Sequence, residues 1–161
     1  MSSQSGSYGF SVRVTPTVQN AAYSSGNAIG CLQSIKFFRS ITQATGLLNN
    51  ISVSSAGGAT TAITLYIFNA NPTASTTTDK VAFSLAAADR SKLITNNPIV
   101  LTPAVIGVGS TVTFASSQMP IAVINADSPV TTLLYACAVV GGSVTPASTT
   151  DLIFTYAGLQ D

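Results

Sequence analysis

The sequence predicts an all-β domain, a jelly-roll-like antiparallel β-sandwich with one short helix. Three observations point there. Short apolar or alternating runs recur with a turn signal every ten residues or so, the spacing of a sandwich rather than of βαβ units. Only one stretch, Ser84 to Leu93, carries a helical pattern. The chain has 161 residues and a long excursion after an apolar run at Thr61 to Asn69. That suits a jelly roll better than an immunoglobulin sandwich of about 100 residues. No repeat recurs at a fixed period, which argues against solenoids and propellers.

Residues 1–9 form a Ser/Gly-rich arm with nothing to bury, so a flexible segment is expected there, followed by one domain over residues 10–161. From Phe10 the pattern alternates. Phe10, Val12, Val14 and Val18 face one way, and Ser11, Arg13, Thr15 and Thr17 the other. Pro16 removes a ladder donor and suggests an edge strand or a bulge. In a second run, Ala28 to Ile41, Cys31, Ile35 and Phe37 alternate with Leu32, Ser34 and Lys36. Leu47 to Ser54 reads as a third strand with Leu47, Ile51 and Val53 inward, closed by a hairpin-style break at Ser55-Ala56-Gly57-Gly58. The fourth, Thr61 to Asn69, is apolar on both faces from Leu65 on, as in a central strand covered on both sides.

Ser84 could cap the helix, with Leu85, Ala88 and Leu93 lining one side and Asp89 and Arg90 outward. Strands then follow at Ile99 to Leu101, ended by Pro103, and at Val105 to Val108, Thr111 to Ala115 and Ile121 to Ile124. Val112 and Phe114 share a face. In Thr131 to Val140, Leu133, Tyr135, Cys137 and Val139 oppose the small Ala136 and Ala138, an alanine face against which another layer packs closely. Leu152, Phe154 and Tyr156 share a side of the last strand.

Composition narrows the function. Only 7% of residues are charged, against roughly 25% in ordinary soluble domains. There is no Glu, His or Trp, and Ser and Thr supply about a quarter of the chain. Apolar residues reach 46% and the mean hydropathy is +0.44. Such a surface repels its neighbours weakly and suits life against other protein. A net charge of +1 with scattered Lys and Arg argues against nucleic acid, whose binding needs clustered cations. No run approaches the ~20 consecutive apolar residues of a spanning helix. The N-terminal residues show no signal-peptide pattern, so synthesis in the cytoplasm is expected. Cys31 and Cys137, without CxxC spacing or a nearby His, read as two buried reduced thiols, with a disulfide, disfavoured in a reducing compartment, as the alternative.

Catalysis finds little to work with. A Ser-His-Asp arrangement cannot exist without His, and no SxxK spacing offers a Ser-Lys pair. Asp79, Asp89, Asp127, Asp151 and Asp161 sit at turns, element ends or the terminus, where Asp serves as a local acceptor. Gly57-Gly58 and Gly107-Val108-Gly109 lack the P-loop Lys and read as hairpin turns. Asn69, Asn71 and Asp79 are too thinly charged for calcium. No enzyme, cofactor or metal is expected.

Several stretches carry a family resemblance. They are Val14-Thr15-Pro16-Thr17, the Tyr23 to Gly30 turn, and Leu65-Tyr66-Ile67-Phe68-Asn69-Ala70-Asn71-Pro72-Thr73, leading through Asp79 into Ala82-Phe83-Ser84-Leu85-Ala86-Ala87-Ala88-Asp89. A strand ending in F-x-A-N-P, a Thr-rich loop and an A-F-x-L-A-x-A-D segment resemble the cement, or decoration, proteins of tailed bacteriophages. The resemblance implies a jelly roll or related sandwich on the outer surface of the head. It would bind as a homodimer or homotrimer where major capsid protein subunits meet, and lock the shell against DNA pressure. The motif assigns no binding residue. The contacts are expected from the arm, with Ser7, Tyr8 and Phe10, and from the Thr73 to Lys80 loop, with Thr76, Thr77, Asp79 and Lys80; solvated flexibility is the alternative for both. The rival functions are a receptor- or glycan-binding module of a phage tail fibre and a pilin-like subunit. The first is weakened by the missing Trp, the second by the missing signal.

Overall fold

A computed structural model describes residues 8–38, 45–57, 61–94, 98–105, 111–114, 121–124 and 132–160. Nine strands follow in order: β1 (Tyr8–Val14), β2 (Ala28–Lys36), β3 (Thr45–Ser55), β4 (Ile63–Phe68), β5 (Ile99–Val105), β6 (Thr111–Phe114), β7 (Ile121–Ile124), β8 (Leu133–Val140) and β9 (Leu152–Gln160). A 3-10 helix, Ala87–Lys92, interrupts the long connection from β4 to β5.

The pairing defines the fold. β1 runs antiparallel to β9, β2 to β8, β3 to β6, and β4 to β5, so the chain is one long ribbon of paired strands. The ribbon rolls up because β9 also pairs with β3, and β8 with β4. Two layers result, β1-β9-β3-β6 and β5-β4-β8-β2. That order is a jelly roll. β7 continues the line of β6: β6 lies beside Ser52–Ser55 of β3, and β7 beside Thr45–Leu48.

β5 turns the corner between layers. Its Ile99–Leu101 pairs with β4, and its Thr102–Val105 with β6. Pro103 therefore lies within a continuous strand instead of ending one. At Thr102–Val105 the described residues form a ladder on one side only, so a missing donor is tolerated on the other. The Ser55 break is no hairpin either, since β3 and β4 belong to different layers.

Between the layers lies the main core. β4 contributes Ile63, Leu65 and Ile67, and β8 contributes Leu134, Ala136, Ala138 and Val140. Across from them stand Leu48, Ile51 and Val53 of β3, and Leu152, Phe154 and Tyr156 of β9. The alanine face of β8 is thus the inner one. Phe10, Val12 and Val14 pack on the core from β1, which ends at Val14, while Pro16 and Val18 are buried beyond it. Tyr8 and Gly9 belong to this strand, opposite Gln160 and Leu159, and not to an arm.

Two bulges interrupt the alternation, and the one in β3 reverses it. Between Ile29 and Leu32 the register of β2 slips, with Gly30 at φ +79° and Cys31 at φ +56°. These two extra residues leave the ladder and put Cys31 out in solvent, so only Cys137 is a buried thiol. Gly30 is required there: a Cβ would meet the Pro16 ring at 2.5 Å. In β3 the slip falls between Leu48 and Asn50, so Leu48 enters the core and Leu47 faces outward, 38% exposed.

Candidate functional site

The strands of the second layer are apolar on both faces, and the connection from β4 to β5 covers the outer one. Beneath it lies a second cluster of Ala28, Phe68, Tyr135, Cys137 and Val139, with Tyr66, Phe83, Leu85 and Leu93 packed against it. Tyr66 and Phe83 stack with ring centroids 4.3 Å apart. Backbone bonds stitch this cover to the sheet along both margins. At one, Lys80 N–H donates to Ala28 O at 2.8 Å and Phe83 N–H to Gly26 O at 2.9 Å. At the other, Asn69 N–H donates to Lys92 O and Ile94 N–H to Ile67 O, each at 2.9 Å.

Of two carboxylates in the cover, Asp79 ties it to Tyr23 and the sheet, and Asp89 ties its own segments together. Asp79 accepts from the Tyr23 hydroxyl at 2.8 and 2.9 Å and from Gly30 N–H at 2.6 Å. The Tyr23 hydroxyl accepts in turn from Gln19 N–H at 2.7 Å. Burial, reinforced by Asp79, pushes the Tyr23 phenol up to about 12. Asp89, 1% exposed, accepts from Ala74 N–H at 2.9 Å, Ser75 Oγ at 2.7 Å and Lys92 Nζ at 2.8 Å. Burial opposes its ionisation, but the bonds from Lys92, Ser75 and Ala74 outweigh that and hold its carboxyl below 3.8. The helix is shorter than the sequence pattern and starts after Ala86, without a side-chain cap. Ser84 bridges to Thr76 instead of capping, and Asp89 points inward while Arg90 is exposed. A helix of six residues brings Asp89 and Lys92 together at i, i+3, and Lys92 also donates to Asn71 O at 2.6 Å.

Asp151 is a third acceptor, away from the cover. It accepts from Ser55 Oγ at 2.9 Å, Gly57 N–H at 2.8 Å and Ala147 N–H at 3.3 Å. These three aspartates are acceptors, as expected, but mostly of long-range bonds rather than local ones; Asp127, Asp161 and Gly107–Gly109 lie outside the described residues. Among the described residues no group of three or more His, Cys, Asp or Glu could hold a metal. Nor is any helix among them long and apolar enough to cross a membrane.

Of the residues expected to make contacts, Ser7 lies outside the described residues. Tyr8 begins β1, and the half-buried Phe10 sets its ring edge-on to Phe37 at 4.4 Å. Thr76, Thr77, Asp79 and Lys80 come together in the cover, where the Asp79 carboxylate and the Lys80 backbone hold it, Lys80 O accepting from Asn27 Nδ2 at 2.6 Å. Thr73 to Lys80 is therefore a fixed segment rather than a solvated loop. What it shows outward is neutral: Thr73, Ala74, Thr78, Val81, Ala82 and Ser84 are exposed, Val81 to 44%.

A second surface was not visible in the sequence. On the outside of the first layer, Leu47 stands between Leu159 of β9 and Ala122 of β7, with Thr45 opposite Ile124. These residues, with Gly46 and Val123, line an open apolar pocket of about 310 Å³, and Ile124 is 63% exposed at its side. Only the Leu48 bulge puts Leu47 there, and a bulge leaves no mark in an apolar run. Compared with models of protein families, with curated proteins and with solved structures, the chain matches none.

Proposed function

We propose that this chain is a structural virion protein, a cement protein that binds the outer surface of a tailed-phage head between major capsid protein subunits and stabilises the shell. The observation that carries the reading is the cover. Asp79, Asp89 and Lys92 turn inward, Arg90 is exposed on the helix, and between residues 73 and 84 hydroxyls and methyl groups turn outward. A neutral surface already fixed in shape loses little conformational freedom when it docks. Many copies on one shell then hold by avidity, without any strong single contact.

The resemblance to cement proteins acquires a physical meaning on this fold. Its residues Ala70, Pro72 and Asp89 are buried within the cover and Phe68 beneath it, so the motif marks how this surface is made rather than which atoms touch the shell.

The test is binding of the purified chain to heads stripped of it. Val81→Asp and Ala82→Asp introduce charge on the exposed crest without touching a buried group. Each is expected to weaken head binding at least about tenfold, as truncation of a central contact does, with thermal unfolding unchanged. Undiminished binding by both variants would remove the cover from the contact.

A further inference from the structure

We infer that Cys31 and Cys137 are a redox-closed lock: a small-molecule disulfide enters at Cys31 and leaves the two thiols joined, fastening edge strand β2 to β8. Leu32 stands opposite Cys137, and Cys31 is the residue before it. A step of about 3.8 Å along the strand and one of about 5 Å across it place the two Cα atoms roughly 6 Å apart, within the span of a disulfide. The bulge makes this approach usable. In an uninterrupted ladder Cys31 would stand opposite Ala138 on the inner face, with Cys137 on the other. Gly30 and Cys31 loop out instead, with Cys31 at φ +56°, and its Sγ turns to the cover and accepts from Asp79 N–H at 3.3 Å. Cys137 lies in the cluster beneath that same cover.

Their surroundings give the two thiols different parts. Cys31 is exposed and Cys137 is buried, so a small disulfide reaches only the first. Burial pushes the Cys137 thiol up to about 12, and Cys31 beside it adds to the rise. Cys137 is thus a poor first nucleophile and acts second. The Cys31 thiol gives its proton to water and attacks one sulfur of the small disulfide, whose S–S bond breaks to release one thiolate. Cys137 then loses its proton and attacks Sγ of Cys31, breaking the mixed disulfide and releasing the second thiolate. Two protein thiols are oxidised by two electrons, the small disulfide is reduced to two thiols, and the two protons lost from the cysteines end on the leaving groups.

The bond would secure the margin of the cover. β2 lies at the end of its layer beside β8, and the cover bonds to β2 at Ala28 and Gly30. Joining Cys31 to Cys137 holds that margin from within the layer and closes a loop from residue 31 to residue 137; long loops gain most from closure. In a reducing compartment the pair stays as two thiols, and an oxidising one closes it. The pair lies within one chain and needs neither a shell nor a second copy.

The test treats the purified full chain with oxidised glutathione, then applies alkylation in denaturant, peptide mass mapping and thermal melting. The expected product is lighter by two hydrogens, with the Cys31 and Cys137 peptides of one chain linked, and dithiothreitol reverses it. It should melt at least about 5 °C above the reduced chain. Cys137→Ala should stop at a glutathione adduct on Cys31, and Cys31→Ser should take up none and melt alike with and without oxidant. Glutathione retained on wild-type Cys31 while Cys137 stays open to alkylation overturns the proposal, as do two unreacted thiols or a linkage between chains. A linked chain that melts no higher overturns the lock. Should Cys137→Ala fail to fold, the wild-type map decides alone.

Discussion

The outer faces of the two layers present the same difficulty, apolar side chains turned away from the main core, and they meet it differently. On β5-β4-β8-β2 the chain folds its own β4–β5 connection over Tyr66, Phe68, Tyr135 and Cys137 and fastens it with Asp79 and Asp89. On β1-β9-β3, with β7, nothing described covers Leu47, Ala122 and Ile124, and most of the remaining face is polar, with Ser11, Arg13, Asn50, Ser52 and Thr155. Coverage by the chain itself draws in Asp79, Asp89 and Lys92 and leaves a mostly neutral crest between residues 73 and 84. An uncovered patch invites another molecule. The difference separates a face built for internal stability from one whose stability is shared.

The comparison can be broken most sharply at Phe68, fully buried beneath the cover. Phe68→Ala is expected to destabilise the fold by about 3–5 kcal/mol in urea unfolding. Leaving stability unchanged, it would show that the second cluster contributes little and that the two faces are energetically alike. Next comes Asp89→Ala, which removes three hydrogen bonds and the partner of Lys92. Because Lys92 is partly exposed and can rehydrate, the loss should be about 1.5–3 kcal/mol. Amide exchange should accelerate over residues 70–94 while the β3 and β9 amides stay protected; uniform acceleration would mean that cover and sandwich open as one unit.

These elements also show what the sequence makes legible. The runs of β4 and β8 could be read for position and for both faces, because strand side chains alternate with period two and both sides were apolar. The bulges could not. One inserted residue after Leu48 reverses every expectation upstream and turns Leu47 to solvent, and two inserted at Gly30–Cys31 loop Cys31 out of the ladder. Asp89 looked like surface because its partners Ala74 and Ser75 come from a distant loop; its spacing from Lys92 was the only local sign. Gln33, buried at 2% and bound by the Tyr156 hydroxyl at 2.8 Å, is a pairing across 123 positions that no periodicity announces. Long-range polar pairs follow topology, and a single sequence states topology only coarsely.

Titration separates the margins of the cover. The carboxyl of Asp89 is lowered in the fold, so its contribution is complete above 3.8 and fades as pH falls below that. Tyr23 and Cys137 are raised to about 12 from 10.0 and 9.0, so theirs are complete at neutral pH. They fade as pH rises from about 9 towards 12. A stability profile flat through neutrality and falling at both ends is expected. Asp89→Ala should remove part of the acid limb alone, and an acid limb unchanged in that variant would assign it to other carboxyls. The smallest effect belongs to the bare face: Leu47→Ser should change stability by no more than about 0.5 kcal/mol. A large loss there would mean that Leu47 packs within the monomer and the patch is not free.

The most direct test of the account is the copy number of this chain in purified particles, relative to the major shell protein. A cement role predicts a fixed ratio of one copy to a few shell subunits, with the chain lost and regained as heads are stripped and reloaded. A handful of copies per particle would contradict it and move the protein to the tail, where a receptor-binding role would take its place.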